Sequence, residues 1–120
     1  MLGTPGQLGG DLVDEGARHG YDMTGLSRAA CDITDAVAAT GAIDAARPDA
    51  VINCAAWTQV DAAEEHEAEA ESVNATGAGF VAAACAAAGV RCCHLSTDYV
   101  FDGTATSPIP EDAVAAPRSA

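Results

Sequence analysis

The densest run of reactive side chains is Ser96-Thr97-Asp98-Tyr99-Val100-Phe101-Asp102-Gly103. It follows Val90 to Leu95, a short apolar stretch that reads as a buried strand. A hydroxyl displayed at the end of such a strand can hydrogen-bond a substrate carbonyl or a neighbouring phenol. Asp98 reads equally as the cap of a local turn, and Tyr99 as a core residue. The sequence holds no G-x-S-x-G elbow, which removes a Ser/His/Asp hydrolase from consideration.

A second constellation opens the chain. Gly3-Thr4-Pro5-Gly6-Gln7-Leu8-Gly9 has the spacing G-x-x-G-x-x-G directly before a predicted helix, Gln7 to Arg18. Such a turn needs one glycine for the bend, one to let backbone amides approach a pyrophosphate, and one for close helix–sheet packing. The helix start then offers N–H groups and partial positive charge to the phosphates. Only Met1 and Leu2 precede Gly3, so the first strand is expected to be largely missing.

Two further segments complete the candidate set. After a predicted strand, Tyr21 to Leu26, stands Ser27-Arg28 where an acid would favour NAD. This pair can bind a 2′-phosphate and leans toward NADP, with a solvated surface arginine as the alternative. Asp32 lies where it could take an adenine amino group, with Ile33 against the ring. Ala55, Ala56, Trp57 and Thr58 follow the predicted strand 50–56. Small residues there let a cofactor lie on the backbone and Thr58 can hydrogen-bond it, although Ala-Ala is also ordinary packing and a lone tryptophan is more often core.

Positioning these residues requires strands alternating with helices. The remaining elements are predicted as a helix 34–46 capped by Thr34 or Asp32, a helix over Asp61 to Glu71, a helix over Val73 to Ala88 ending at Gly89, and loop from Ser96 onward. This order implies βαβ crossovers and a Rossmann-type, doubly wound parallel α/β sheet, here incomplete. Residues 1–120 are expected to form one partial NAD(P)-binding domain with no second domain. Losing an interior strand predicts unpaired edges and poor solubility.

Composition narrows the partners. The 120 residues carry 18 acids against five arginines and no lysine, for a formal charge of −13. Nucleic acid and anionic membrane surfaces need clustered positive charge, so neither is an expected partner. The five cysteines have neither disulfide-framework nor zinc spacing, and no metal site is predicted. Buried, reduced cysteines and the lack of a leader or long apolar span predict a cytoplasmic protein.

Taken together, the glycine turn, Arg47-Pro48-Asp49-Ala50-Val51-Ile52-Asn53-Cys54-Ala55-Ala56-Trp57-Thr58-Gln59-Val60-Asp61, Val73-Asn74-Ala75 and Ser96 to Gly103 resemble the dTDP-4-dehydrorhamnose reductase family of extended short-chain dehydrogenases. The resemblance implies reduction of the C4 ketone of dTDP-4-dehydro-L-rhamnose by NADPH or NADH to dTDP-L-rhamnose. It implies that Gly6, Gln7 and Leu8 touch the pyrophosphate, Asp32 and Ile33 the adenine, and Ala56, Trp57 and Thr58 the cofactor, with Asn74 in support. It makes Thr97 the hydroxyl of the catalytic set and has Asp98, beside Tyr99, hold substrate. Full-length members imply a homodimer. Asp11 stands where some members have a magnesium-binding glutamate, and this sequence adds no support for magnesium.

The family's Pro-x-x-x-Tyr-Gly-x-x-Lys segment would begin at Pro117, and the chain ends at Ala120. An N-terminal fragment lacking the tyrosine and lysine is therefore the expectation, inactive by itself. Two other readings stay open: an NADP-binding regulatory subunit similar to that of methionine adenosyltransferase, and the remnant of a truncated gene.

Overall fold

The structure is a computed structural model that describes Met1–Thr4 and Gly6–Arg118. Pro5 of the glycine turn and Ser119 and Ala120 lie outside the described residues. Helix α1 spans Gln7–Arg18, as its spacing predicts, and α2 spans Ala36–Ala46. Strand β1 is Ala50–Asn53. Short helices α3 (Val60–Ala63) and α4 (Glu67–Glu71) lead through a π-helical turn, Ser72–Gly77, into α5 (Ala78–Ala88). Strand β2, Arg91–His94, is followed by a single 3₁₀ turn, Asp98–Val100.

β1 and β2 pair in parallel, with Val51 opposite Cys92 and Asn53 opposite His94. The first residues extend this sheet. Leu2 bridges Asn53 on one side and Leu26 on the other, both in parallel. The expected gap at the first strand is therefore spanned by a stub: Leu2 N–H donates to Ile52, Cys54 N–H to Leu2, and Leu26 N–H to Met1. The spatial order is Leu26, Leu2, β1, β2. The chain first steps one way from Leu2 and later returns to its other side, which makes the junction of Leu2 and β1 a topological switch point.

That reversal also sorts the helices. Right-handed crossovers in opposite directions send their helices to opposite faces. α2 and α5, on connections running the same way, pack on each other. α1, on the opposite-running connection, belongs to the other face. Between the α2–α5 layer and the sheet lies a core of Leu2, Cys31, Ile33, Ala39, Ile43, Val51, Val81, Ala84 and Cys85.

Several elements differ from their predicted form, each for a local reason. Of Tyr21 to Leu26 only Leu26 pairs, because its partner is the short segment beside Leu2. The cap of α2 is Asp35, not Thr34 or Asp32: its carboxylate accepts from Val37 and Ala38 N–H at 2.8 and 3.2 Å. Asp32 is already engaged in a turn with the N–H and hydroxyl of Thr34. The helix predicted over Asp61 to Glu71 breaks between Ala63 and Glu67. Asp61/Glu65 and Glu65/Glu69 would stack like charges one turn apart in a continuous helix. The strand predicted as buried, Val90 to Leu95, is the sheet edge, and every residue of β2 is exposed. Gly89 ends α5 as predicted, at φ 69°, and Val90 N–H closes the turn onto Cys85 C=O at 2.9 Å.

Candidate functional site

All strands being parallel, their carboxyl ends open on one edge, and the candidate residues emerge there. Gly3 follows the stub, Cys54–Thr58 follows β1, and Leu95–Tyr99 follows β2. Hydrogen bonds join the three exits: Cys54 N–H to Leu2 C=O at 3.1 Å and Leu95 N–H to Asn53 C=O at 3.2 Å. At ordinary strand spacing the β2 exit that carries Thr97 stands about 10 Å across the edge from the glycine turn.

The glycine turn is built around one carbonyl. Gly6 N–H donates to Gly3 C=O at 3.0 Å. A Cβ on Gly6 or Gly9 would come within 2.8 or 2.7 Å of that oxygen. Gly3 itself has φ +88°, and a Cβ there would fall 2.6 Å from the Ala55 nitrogen. Only glycine fits these three positions, so the turn lies flush against the end of β1 at the switch point. Gly6 caps α1 without a side chain, and the N–H groups of Gln7 and Leu8 find no acceptor among the described residues. Gly6, Gln7 and Leu8 are exposed, whereas Gly9, in the first turn of α1, is buried. The turn thus presents free donors beside a surface stripped of side chains, which suits an anionic, flat-lying ligand.

A second part of the edge is the Ser27–Thr34 loop. Arg28 reaches back to Asp32, Nε to Oδ2 at 3.1 Å. Asp32 also accepts from the Thr34 hydroxyl at 2.8 Å and its N–H at 3.0 Å. These Thr34 bonds, with Arg28 adding, hold the Asp32 carboxyl below its ordinary range. Arg28 remains 77% exposed, so its guanidinium has donors to spare for a phosphate. Ser27 is half-buried, and its carbonyl accepts from Ala30 and Cys31 N–H. Ile33 is packed in the core near Gly77 rather than on an open wall.

The third part is the Ala55–Thr58 segment. Ala55 N–H is held by Asn53 Oδ1 at 3.1 Å. Trp57 is half-buried and outside the core; its indole N–H donates to Gln59 C=O at 3.1 Å, and its ring lies 5.9 Å from that of His66. Asn74 clamps the Trp57 backbone from the π-helical turn. Ala56 and Thr58 are exposed. Between this segment and Arg28 runs a groove of about 310 Å³, walled by Thr34, Trp57, Ser72 and Val73. A groove of about 330 Å³ along α1 is lined by Asp11, Asp14 and Glu15 against one guanidinium, Arg18, and so repels an anionic ligand.

Thr97, exposed on the β2 exit, has an oriented hydroxyl. Its Oγ1 accepts from Tyr99 N–H at 3.3 Å, capping the 3₁₀ turn, and donates to Asp98 Oδ1 at 3.3 Å. Asp98 and Tyr99 are exposed as well, so Tyr99 is not core. Residues that sequence reasoning did not place in the site are Asn53, His94, Thr34 and Ser72. Asn53 and His94 face each other across β1 and β2, which only the register shows.

Comparison with known proteins agrees with this fold. The family model for the RmlD substrate binding domain matches residues 1–120. The chain is 54% identical over 103 residues to dTDP-4-dehydrorhamnose reductase of Mycobacterium tuberculosis, covering 86% of this chain and 33% of that protein. It is 42% identical over 120 residues to dTDP-4-keto-6-deoxy-D-glucose reductase of Streptomyces niveus, covering 100% of this chain and 42% of the other. Among solved structures, dTDP-4-dehydrorhamnose reductase of Bacillus anthracis in complex with NADP superposes with a TM-score of 0.94 at 36% identity, over 98% of this chain and 42% of that one. The chain therefore spans roughly two fifths or less of each of these proteins, and it shares their Rossmann-type fold.

Proposed function

Because the chain belongs to the RmlD substrate binding domain family, we propose that it forms the dinucleotide-binding part of an NAD(P)H-dependent reductase of dTDP-linked keto sugars, of the kind that makes dTDP-L-rhamnose in the cytoplasm. The observation that carries the reading is the glycine turn closed on the Gly3 carbonyl and pressed against Ala55 at the switch point.

On this reading Gly3, Gly6 and Gly9 admit the pyrophosphate and the Gln7 and Leu8 N–H groups bind it. Ser27 and Arg28 take the adenosine ribose and its 2′-phosphate, which favours NADP over NAD. Asp32, held ionised, accepts from the adenine amino group; Ile33, being core, supports that loop from beneath. Ala55, Ala56, Trp57 and Thr58 form the wall along which the dinucleotide lies, with Asn74 fixing Trp57. When bound, the nicotinamide supplies hydride. Thr97 orients the substrate carbonyl through its hydroxyl, and Asp98 and Tyr99 contact the sugar nucleotide.

The 120 residues contain no lysine, and their tyrosines are Tyr21 and Tyr99. Tyr99 is fixed within two residues of Thr97, and neither tyrosine has a lysine among these residues to pair with. The chain as given therefore binds cofactor without turning substrate over. Calorimetric titration with NADPH and NADH tests the reading: saturable binding, tighter for NADPH, is expected. Absence of saturable binding for both dinucleotides overturns it.

A further inference from the structure

Asn53 is the one buried polar side chain among the described residues, 1% exposed, and its carboxamide joins two exits of the carboxyl edge. Oδ1 accepts from Ala55 N–H at 3.1 Å, and Nδ2 stands 3.2 Å from Nδ1 of His94. A backbone N–H only donates, so the atom toward Ala55 is the oxygen and the amide nitrogen faces His94. That nitrogen also only donates. His94 Nδ1 must accept, which fixes a neutral ring with its proton on Nε2.

We propose that His94 is a positioning residue for the cofactor wall: its neutral imidazole locks the Asn53 carboxamide in the orientation that anchors Ala55. The proposal rests on the reading of the edge as a cofactor site. It makes the anchor sensitive to protonation. A proton on Nδ1 faces the Asn53 NH₂, so either the bond breaks or the carboxamide turns over and sets NH₂ against the Ala55 N–H. Both release the start of the Ala55–Thr58 wall.

The elements packed on β2 do not offset that charge. They are β1 and α5, and neither carries a charged side chain. Their titratable neighbours are thiols: Cys85 on α5, which meets Cys92, Cys54 at the exit of β1, and Cys93 beside His94 on β2 itself. The other histidines, His19 and His66, sit beside Glu15 and Glu69 on separate helices.

The test combines amide hydrogen exchange at Ala55 with NADPH titration in the parent chain, His94→Asn and His94→Leu. Asparagine offers a carbonyl oxygen near the place of Nδ1, and leucine offers nothing. Protection of Ala55 and NADPH affinity should each fall about three- to tenfold in His94→Leu and stay within about twofold of the parent in His94→Asn. Equal Ala55 protection in the parent and His94→Leu, or a loss in His94→Asn equal to that in His94→Leu, overturns the proposal. Should His94→Leu fail to fold, the ring nitrogen NMR shifts of His94 in the parent still decide: a proton on Nε2 supports the lock and a proton on Nδ1 overturns it. A parent chain that binds no NADPH sinks the cofactor reading, whereas the exchange result judges the Asn53–His94 lock by itself.

Discussion

Asn74 grips the backbone of Trp57 with both ends of its carboxamide, accepting from the Trp57 N–H at 2.8 Å and donating to the Trp57 carbonyl at 3.2 Å. The grip comes from a π-helical turn, a geometry often found at functional sites. It ties the exit of β1 to the helix that leads into α5.

Asn74→Asp separates the two bonds. It keeps the acceptor for Trp57 N–H and sets a carboxylate against the Trp57 carbonyl. A stability loss of about 1–2 kcal/mol is expected, with a matching change in Trp57 fluorescence. Urea titration followed at the single tryptophan measures both; an unchanged midpoint would contradict the clamp.

The glycines of α1 divide sharply. Gly9→Ala forces a methyl to 2.7 Å from the Gly3 oxygen, whereas a Cβ at Gly10 meets nothing within 4 Å. Gly9→Ala should destabilise by about 1–3 kcal/mol and weaken NADPH binding. Gly10→Ala should stabilise by about 0.5–1 kcal/mol. Thermal unfolding of the two variants should move in opposite directions.

Arg28 bears on cofactor choice. Its side chain is mostly exposed and carries donors beyond the one given to Asp32. Arg28→Gln should cost NADPH about tenfold in affinity and leave NADH within about twofold. Parallel titrations check this, and an equal loss for both dinucleotides would place Arg28 outside the 2′-phosphate site.

The bonds from Thr34 and Arg28 hold the Asp32 carboxyl below its ordinary range. A depressed carboxyl contributes stability that is present above its unfolded pKa, about 3.9, and is lost as pH falls through the lower folded value. Asp32→Asn should therefore lack part of the acid limb below about pH 4. Melting temperatures measured down to about pH 2 would show parallel curves if the Asp32 turn contributed nothing.

The thiols should react in order of burial. Burial and the neighbouring Cys92 push Cys85 to about 11, and burial likewise raises Cys31. Cys92 and Cys93 are exposed. Iodoacetamide at neutral pH should label Cys92 and Cys93 first, and Cys31 and Cys85 only after unfolding. Peptide mass mapping over time reads the order directly.

What was legible beforehand was whatever depends on neighbours in sequence. The glycine spacing gave the turn and α1, and Gly89 marked the end of α5. Composition over the acidic run favours a continuous helix, but the charge spacing opposes it and the helix breaks. The apolar run 90–95, cysteines included, matches a buried strand, but such a pattern does not say what covers a strand.

The sequence by itself determined the βαβ order, the glycine turn and the hydroxyl-rich exit after β2, because each is written in local spacing and side-chain size. Tertiary structure alone decided that Asn53 meets His94 across 41 residues and that Asn74 meets Trp57 across 17. Such pairs depend on parallel register and helix packing, which arise from many weak contacts summed over the chain and leave no local signature in the residues that finally touch.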